Sequence, residues 1–295
     1  MISDPTFLIE QILNSLQFSM LLFLLAIGLS VVFGMMDYLN LSHGTIYMVS
    51  AYLAYSIAGA SGSYWLALLC APIAAALIGV SLYYLLLKRV EQHGHLAQVL
   101  LTVGVIYFGT EMLRIFYGDL PKGVPAPAAL EGVARLFGVA YPKYRLFIIG
   151  VGLVTMGVLY VVLERTRLGA LVRAGVDDRI TAETLGIDIA KVFAGVFAIG
   201  AYLAGLAGVI AAPVFGVYTG MDVSVIILVL IVVVIGGLGS LAGAILGSFL
   251  IGFADTFGKI LLPDFAMVMI YLVMALALVF RPSGLMPARR FMAQG

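Results

Sequence analysis

Long apolar runs interrupted by glycine occupy almost the whole chain, and they restrict its fold more than any other feature. Hydrophobic residues make up 63% of the 295 residues, charged residues only 11%, and the mean hydropathy is +1.15. Soluble domains average about 45–50% apolar and about 25% charged residues. Lipid offers backbone groups no hydrogen-bond partners, so apolar runs of about 20 residues must cross a bilayer as helices. The sequence therefore predicts an all-α, polytopic transmembrane helical bundle.

The apolar runs predict about nine spans, and short or glycine-broken runs leave the number between eight and ten. The nine runs are Phe7–Phe33, Thr45–Ala60, Trp65–Leu87, Leu96–Tyr117, Leu146–Leu163, Val192–Ala212, Val223–Ile235, Leu241–Phe257 and Phe265–Phe280. The first ten residues hold Asp4 and Glu10 but no Lys or Arg, so the first run is expected to remain as a helix rather than act as a cleaved signal peptide. Residues 1–295 are expected to form a single transmembrane domain.

Basic residues near the ends of the runs predict the orientation in the membrane. With nine spans, three basic groups fall on the same side: Lys88 with Arg89, the 165–191 segment, and Arg281 with Arg289 and Arg290. Because basic loops stay on the cytoplasmic side, this side is cytoplasmic and the N-terminus lies outside. The Gly118–Tyr144 connection, which mixes charges and prolines, is then extracytoplasmic.

Ten of the 31 charged residues lie in one 28-residue segment, residues 164–191. An amphipathic spacing begins at Leu168, Gly175 suits the end of that helix, the Asp177–Asp178 pair can cap a second helix, and Gly186 can close it. One interpretation is a solvated loop whose basic residues only fix the topology. Two capped short helices exceed what topology requires, so we favour a cytoplasmic docking element for a soluble partner.

Five ordered segments of the chain resemble one known family. They are Gly28-Leu-Ser-Val-Val-Phe-Gly with Asn40-Leu-Ser-His-Gly, Arg165-Thr-Arg-Leu-Gly-Ala-Leu-Val-Arg-Ala with Ala182-Glu-Thr-Leu-Gly-Ile-Asp, the Ala198–Val209 helix, Gly236-Gly-Leu-Gly-Ser-Leu-Ala-Gly-Ala, and Arg281-Pro-Ser-Gly-Leu. In this order, over nearly the whole chain, they resemble the permease subunits of branched-chain amino acid ABC importers. The Asn40-Leu-Ser-His-Gly segment is similar to the first of the two permease types that such systems combine.

The resemblance implies a subunit of the bacterial inner membrane with several partners. These are a second permease subunit, two cytoplasmic ABC ATPase subunits and a periplasmic binding protein that delivers branched-chain amino acids or related small amino acids or amides. ATP would be hydrolysed by the partners, so no catalytic site and no bound cofactor are expected; the sequence has no G-x-x-x-x-G-K-[ST] phosphate loop. The residues implied in coupling to the ATPases are Arg165, Arg167, Gly169, Arg173, Arg179, Glu183 and Gly186.

Polar or glycine-rich interruptions occur once in each half of the chain. They are Asn40, Ser42, His43 and Gly44 in the first half, and Gly236, Gly237, Gly239 and Ser240 in the second. Such paired interruptions are typical of broken helices that line a transport site. For the second segment we favour close helix packing, because Gly239, Gly243 and Gly247 recur every four residues. The ridge of Gly200, Ala204 and Gly208 is interpreted as packing alone.

A few charged residues and histidines require separate interpretation. Glu111 lies within an apolar run, and Arg114 three residues later predicts an ion pair near the outer interface, with a substrate contact as the alternative. Asp222 and Asp255, near span ends, are predicted to face solvent. His93 and His95 lack further ligands, so no metal site is predicted.

Parts of the sequence also fit two other classes of function. Gly59-Ala-Ser-Gly62 reproduces the G-x-S-G pattern of intramembrane serine proteases, but that chemistry needs a histidine near Ser61, and His43 and the two cytoplasmic histidines are predicted at other depths. An ion-coupled secondary transporter of a small polar solute remains the alternative to the importer. It would bury several ionisable residues, and Glu111 is the main candidate.

Overall fold

The computed structural model describes residues 4–36, 38, 40–90, 93–167, 169–171, 174, 182 and 184–286. Within them, nine long helices coincide with the nine apolar runs to within a few residues. They are α1 (Pro5–Met36), α2 (His43–Ser61), α3 (Tyr64–Leu82), α4 (His95–Tyr117), α5 (Lys143–Arg165), α6 (Ile189–Phe215), α7 (Met221–Gly236), α8 (Leu241–Leu261) and α9 (Ala266–Phe280). After Leu82, α3 continues through a π-helical turn, Tyr83–Leu87, into a last turn at Lys88–Val90.

Six of these helices are long and apolar enough to cross a membrane: α1, α3, α4, α5, α6 and α8. Two more, α7 and α9, are apolar but shorter. The fold is therefore a polytopic helical bundle, as the sequence predicts, while nine membrane crossings remain a prediction.

The bundle is built around α1 and α6, of which 83% and 72% of the apolar span is buried, against 17% for α4. Small residues allow this central contact. A Cβ atom placed on Gly28 of α1 would lie 2.9 Å from the carbonyl oxygen of Gly200 on α6, and one on Gly200 would lie equally close to the carbonyl of Gly28. Gly208, two turns along α6, lies against the carbonyl of Tyr47. The predicted packing role of the α6 ridge is thus confirmed.

The outer helices expose large apolar side chains on their outer faces. Leu69 of α3, Leu100 and Phe108 of α4 and Val154 of α5 are all more than half exposed. Such faces would be costly in water, and a bilayer covers them without penalty because lipid tails are equally apolar.

A small β-hairpin in the Gly118–Tyr144 connection corrects the all-α expectation. Strand β1 (Val133–Leu136) runs antiparallel to β2 (Val139–Pro142). Phe137 and Gly138 between them both have positive φ, 50° and 85°, which is the conformation of a two-residue type I′ turn. We call the end of the bundle that carries β1 and β2 the hairpin end.

The hairpin end is tied to the helices by polar contacts. The Tyr141 hydroxyl donates to Asn14 Oδ1 of α1 at 3.0 Å, and the Arg145 guanidinium donates to the same oxygen at 2.7 Å. Lys122 and Val217 exchange two backbone hydrogen bonds of 2.7 and 2.8 Å. The connection between α6 and α7 therefore also lies at the hairpin end.

Candidate functional site

The Asn40–Gly44 segment is buried where it leads into α2. The hydroxyl of Ser42 donates to Asn40 Oδ1 at 2.5 Å, and Nε2 of His43 donates to the carbonyl oxygen of Leu25 at 3.1 Å. Asn40, Ser42 and His43 are each 1% exposed. The imidazole fits against Gly28, where an added Cβ would lie 2.9 Å from a ring carbon. This polar segment therefore packs into the centre of the bundle, beside the α1–α6 contact.

A buried carboxylate lies next to that segment. Thr45 of α2 and Thr110 of α4 each donate a hydrogen bond of 3.2 Å to Oδ2 of Asp222, in the first turn of α7. Asp222 is 1% exposed, and its Oδ1 has no hydrogen-bond partner among the described residues. We call these three residues the Asp222 junction. The prediction that Asp222 faces solvent was wrong, because α2 and α4 enclose the first turn of α7.

A mainly apolar cavity of about 250 Å³ opens beside the same segment. We call it the α1–α7 cavity. Its lining comes from α1, α2, α6, the α6–α7 connection and α7, and includes Phe18, Leu21, Leu22, Leu25, Tyr47, Ala211, Phe215, Tyr218, Met221, Ser224, Val225 and Leu228. Tyr47 lies one turn after His43, and Leu25 is the residue whose carbonyl accepts from His43. Sequence reasoning missed the cavity, because leucines that line a cavity have the same helical spacing as leucines that fill a core.

The second predicted segment, Gly236–Ser240, forms a tight joint between helices. Gly239 meets Gly34 of α1, where an added Cβ would lie 2.5 Å from the Gly239 Cα, and Gly236 lies against the Gly243 carbonyl of α8. The Ser240 hydroxyl caps α8 by accepting a 3.0 Å hydrogen bond from the Gly243 amide. These contacts support the packing interpretation of this segment.

The segment after α9 completes that joint. The amides of Leu285 and Met286 donate to the carbonyl oxygens of Ile235 and Gly236 at 2.8 and 2.9 Å. Gly284, with φ of 89°, packs on the Cα of Gly237. We call Gly34, Gly236–Ser240 and Gly284–Met286 the glycine joint. The sequence showed two separate motifs here, and the fold brings them together.

The two interrupted segments do not form one site. Gly44 packs against the backbone of Asp222 at the start of α7, whereas Gly236 ends the same helix. Gly236 lies fourteen positions after Asp222, which corresponds to about 21 Å of helix. Of the predicted pathway residues, Asn40, Ser42, His43 and Gly44 lie near the α1–α7 cavity, while Gly236, Gly237, Gly239 and Ser240 lie at the other end of α7.

The predicted coupling segment is described in part. Arg165 ends α5 and is exposed, as is Arg167, and Gly169 lies against the carbonyl of Leu163. Gly186 has φ of 85°, and the amide of Ile187 donates to the carbonyl of Ala182 at 3.0 Å, which is the 6→1 bond of a helix that ends at glycine. The predicted helix end at Gly186 is confirmed. Arg173, Arg179 and Glu183, like Gly175 and the Asp177–Asp178 pair, lie outside the described residues.

Asp188 links this segment to α6. Its carboxylate accepts from the Lys191 amide at 3.2 Å and pairs with Lys191 Nζ at 3.0 Å. The hydrogen bonds from Lys191 lower the pKa of the Asp188 carboxyl below its ordinary value.

The charged residues of α4 and α8 form local ion pairs. Arg114 bonds to Glu111 and to Asp119 at 2.7 Å each, with the three side chains 46–70% exposed, so the predicted Glu111–Arg114 ion pair is confirmed. Asp255 pairs with Lys259 at 2.6 Å and its side chain is only 13% exposed. The predicted solvent exposure of Asp255 was therefore wrong.

Ser61 lacks the geometry of a protease nucleophile. It lies at the end of α2, where its hydroxyl donates to the carbonyl of Ile57 at 2.6 Å. His43 begins the same helix, and eighteen residues of helix place it about 27 Å away. The position and the hydrogen bond of Ser61 are therefore those of a residue at the end of a helix.

The match to a family model extends over residues 11–278, and the description of the family is "Branched-chain amino acid transport system / permease component". The chain belongs to this family. A comparison with solved structures found none that matches.

Curated proteins similar to the chain cover nearly all of its length. The high-affinity branched-chain amino acid transport system permease protein BraD of Pseudomonas aeruginosa is 28% identical, over 94% of this chain and 95% of that protein. The permease protein LivH of Escherichia coli K12 is 25% identical, over 95% and 96%. The permease protein LivM of the same organism is 29% identical, over 92% of this chain but 69% of its own length.

Proposed function

We propose that this chain is a membrane-spanning permease subunit of an ATP-binding-cassette importer for branched-chain or related small amino acids or amides. The observation that carries the proposal is the family match over residues 11–278. The polytopic bundle and the apolar cavity beside the Asn40–Gly44 segment support it, because an apolar cavity between helices suits the side chain of an aliphatic amino acid. The chain is not an enzyme in this proposal, and it binds no cofactor of its own.

The partners follow from the same family. We propose a heterodimer with a second permease subunit, since the similar proteins include both the LivH and the LivM types. The chain corresponds to the first type, because LivH aligns over 96% of its length and LivM over 69%. Two cytoplasmic ATPase subunits would hydrolyse ATP, and a periplasmic binding protein would deliver the substrate.

The proposed location is the bacterial inner membrane, with the N-terminus outside and the C-terminus in the cytoplasm. In this orientation the hairpin end faces the periplasm and the 164–191 segment faces the ATPases, through Arg165, Arg167, Gly169, Arg173, Arg179, Glu183 and Gly186. The exposed Arg165 and Arg167 at the end of α5 support this assignment, because basic residues mark the cytoplasmic side.

Affinity purification from native membranes tests the assembly. The chain, tagged at its C-terminus and extracted in mild detergent, should co-purify with a second permease and with ABC ATPases identified by mass. A control importer should stay intact under the same conditions. Recovery of the chain alone would contradict the proposal.

Energy coupling separates the importer from the ion-coupled alternative. Uptake in proteoliposomes that contain the purified assembly and receive the binding protein should require ATP inside and should survive an ionophore that dissipates ion gradients. If uptake depends on the ion gradient and does not depend on ATP, the protein is instead a secondary transporter. The exposed ion pair of Glu111, the main candidate for coupling, favours the importer.

A further inference from the structure

We propose that the α1–α7 cavity binds the aliphatic side chain of the transported amino acid. This inference rests on the proposed function and deepens it by naming where the side chain lies. The cavity has a suitable size, a suitable wall chemistry and a position beside the buried Asn40–Gly44 segment.

The size of the cavity suits a small solute. Pockets for drug-sized ligands measure about 300–1,000 Å³. At about 250 Å³, the α1–α7 cavity lies just below that range. Because the cavity wall is mainly apolar, an aliphatic side chain inside it would gain van der Waals contacts with the lining residues and would remove its own apolar surface from water.

The wall divides into an apolar base and a mouth with hydroxyl groups. Leu21, Leu22 and Leu25 of α1 form the base and are each less than 5% exposed. The mouth is at the hairpin end, where Phe215 is 51% and Tyr218 is 38% exposed. None of the lining residues is charged. A branched hydrocarbon chain therefore fits the base, while the polar end of an amino acid would meet the hydroxyls of Tyr218, Tyr47 and Ser224.

The position of the cavity connects it to the rest of the transport machinery. One wall residue, Leu25, holds His43 through its carbonyl oxygen, and another, Tyr47, follows His43 by one turn of α2. On the α7 side, Met221 lines the cavity while its neighbour Asp222 bonds to α2 and α4. A ligand in the cavity thus contacts three elements that a change of access would move relative to one another.

The test fills the cavity and measures selectivity in the assembled transporter. Val225→Phe adds bulk to the lining, and Ile227→Phe adds similar bulk two residues away on the exposed face of α7, which lies outside the cavity. Each variant, with its ATPases and second permease, is reconstituted in proteoliposomes and supplied with the same binding protein. Uptake of leucine and of valine is measured. Because delivery is identical, a change in the leucine-to-valine ratio belongs to this chain.

We expect Val225→Phe to lower the leucine-to-valine ratio about tenfold, since one methylene in an apolar pocket changes selectivity by about 10–200-fold. Leu22→Ala, which removes part of the wall, should shift the ratio in the opposite direction. Ile227→Phe should leave the ratio within twofold of the wild type, and all variants should retain their ATPase subunits.

Three results would overturn the proposal. If the leucine-to-valine uptake ratio is unchanged in both Val225→Phe and Leu22→Ala, the cavity is a packing void or a lipid contact and does not bind the side chain. Val225→Phe could also lower the uptake of leucine and of valine equally, while Leu22→Ala leaves their ratio unchanged. This result would show that bulk at position 225 affects assembly or helix movement rather than binding of the substrate's side chain. If the wild-type assembly transports no aliphatic amino acid, the proposed function fails, and this inference fails with it; the first two results leave the function standing.

Discussion

At the scale of single residues, the Asp222 junction joins three helices through one buried carboxylate. Two glycines make room for it: a Cβ on Gly44 would lie 2.6 Å from the Asp222 carbonyl oxygen, and one on Gly109 would collide with the methyl group of Thr45. Two hydroxyl donors on Oδ2 compensate part of the cost of removing the side chain from water. The junction therefore fixes the start of α7 against α2 and α4.

Replacing the carboxylate tests this role. Asp222→Leu should lower the stability of the bundle by about 1–3 kcal/mol, because it leaves the hydroxyls of Thr45 and Thr110 without their acceptor. Asp222→Asn keeps an acceptor oxygen and should lower the stability of the bundle less than Asp222→Leu does. The measurement is the midpoint of thermal aggregation in detergent, followed by size-exclusion chromatography. Equal midpoints for wild type and Asp222→Leu would show that the junction adds nothing to stability.

At the scale of elements, glycine determines which helices approach closely. Gly243 of α8 faces the carbonyl of Gly236, and Gly252, about two and a half turns later and on the opposite face of the helix, faces Ser19 of α1, so small residues on two faces of α8 allow it to approach α7 and α1. By contrast, an added Cβ on Gly157 of α5 would meet nothing within 4 Å. Glycine is thus required by packing at some helix positions of this chain and not at others.

This contrast supplies a matched pair of substitutions. Gly243→Leu should destabilise the bundle by about 1–3 kcal/mol or more through overpacking and should reduce assembly and uptake. Gly157→Leu, the same change where space is open, should stay within about 0.5 kcal/mol of the wild type. Both are measured by thermal aggregation and by transport. If Gly243→Leu supports normal uptake, α7 and α8 do not form a tight interface there.

The elements also show what the sequence could and could not predict. Hydropathy located the nine helices because each apolar run must satisfy its own backbone. The hairpin escaped prediction because its turn uses Phe137 at positive φ, where a bulky residue is uncommon. The burial of Asp222, its bonds to α2 and α4, and the cavity depend on contacts between distant segments, and no local pattern records them. The interrupted segments were visible, but the sequence did not show that α7 separates them.

At the scale of the whole molecule, the orientation can be measured with single cysteines introduced at exposed positions. Cys70 is the only cysteine, so Cys70→Ser gives a background without thiols. Phe137→Cys, at an 80% exposed position of the hairpin turn, should react with a membrane-impermeant thiol reagent in cells with a permeabilised outer membrane. Leu185→Cys, at a 76% exposed position of the 164–191 segment, should react only after the inner membrane is opened. The reverse pattern would invert the proposed topology.

Coupling to the ATPases is a second property of the whole assembly. Charge reversal of Arg173 and Arg179 to glutamate should reduce recovery of the ATPases with the tagged chain and lower uptake, because the 164–191 segment is the proposed docking element. Reversal of Lys122 and Arg135 at the hairpin end changes the charge equally and should leave ATPase recovery unchanged. If the complex stays intact and active with both arginines reversed, the 164–191 segment is not the docking element for the ATPases.

The glycine joint has a consequence for how the protein is made. The last carbonyls of α7 accept hydrogen bonds from Leu285 and Met286, which leave the ribosome only after α8 and α9. During synthesis, α7 is therefore made before the donors for its last carbonyl groups, and the glycine joint can form only after residues 284–286 have been added. A chain that stalls before residue 285 therefore leaves the carbonyl groups of Ile235 and Gly236 without these two hydrogen-bond donors.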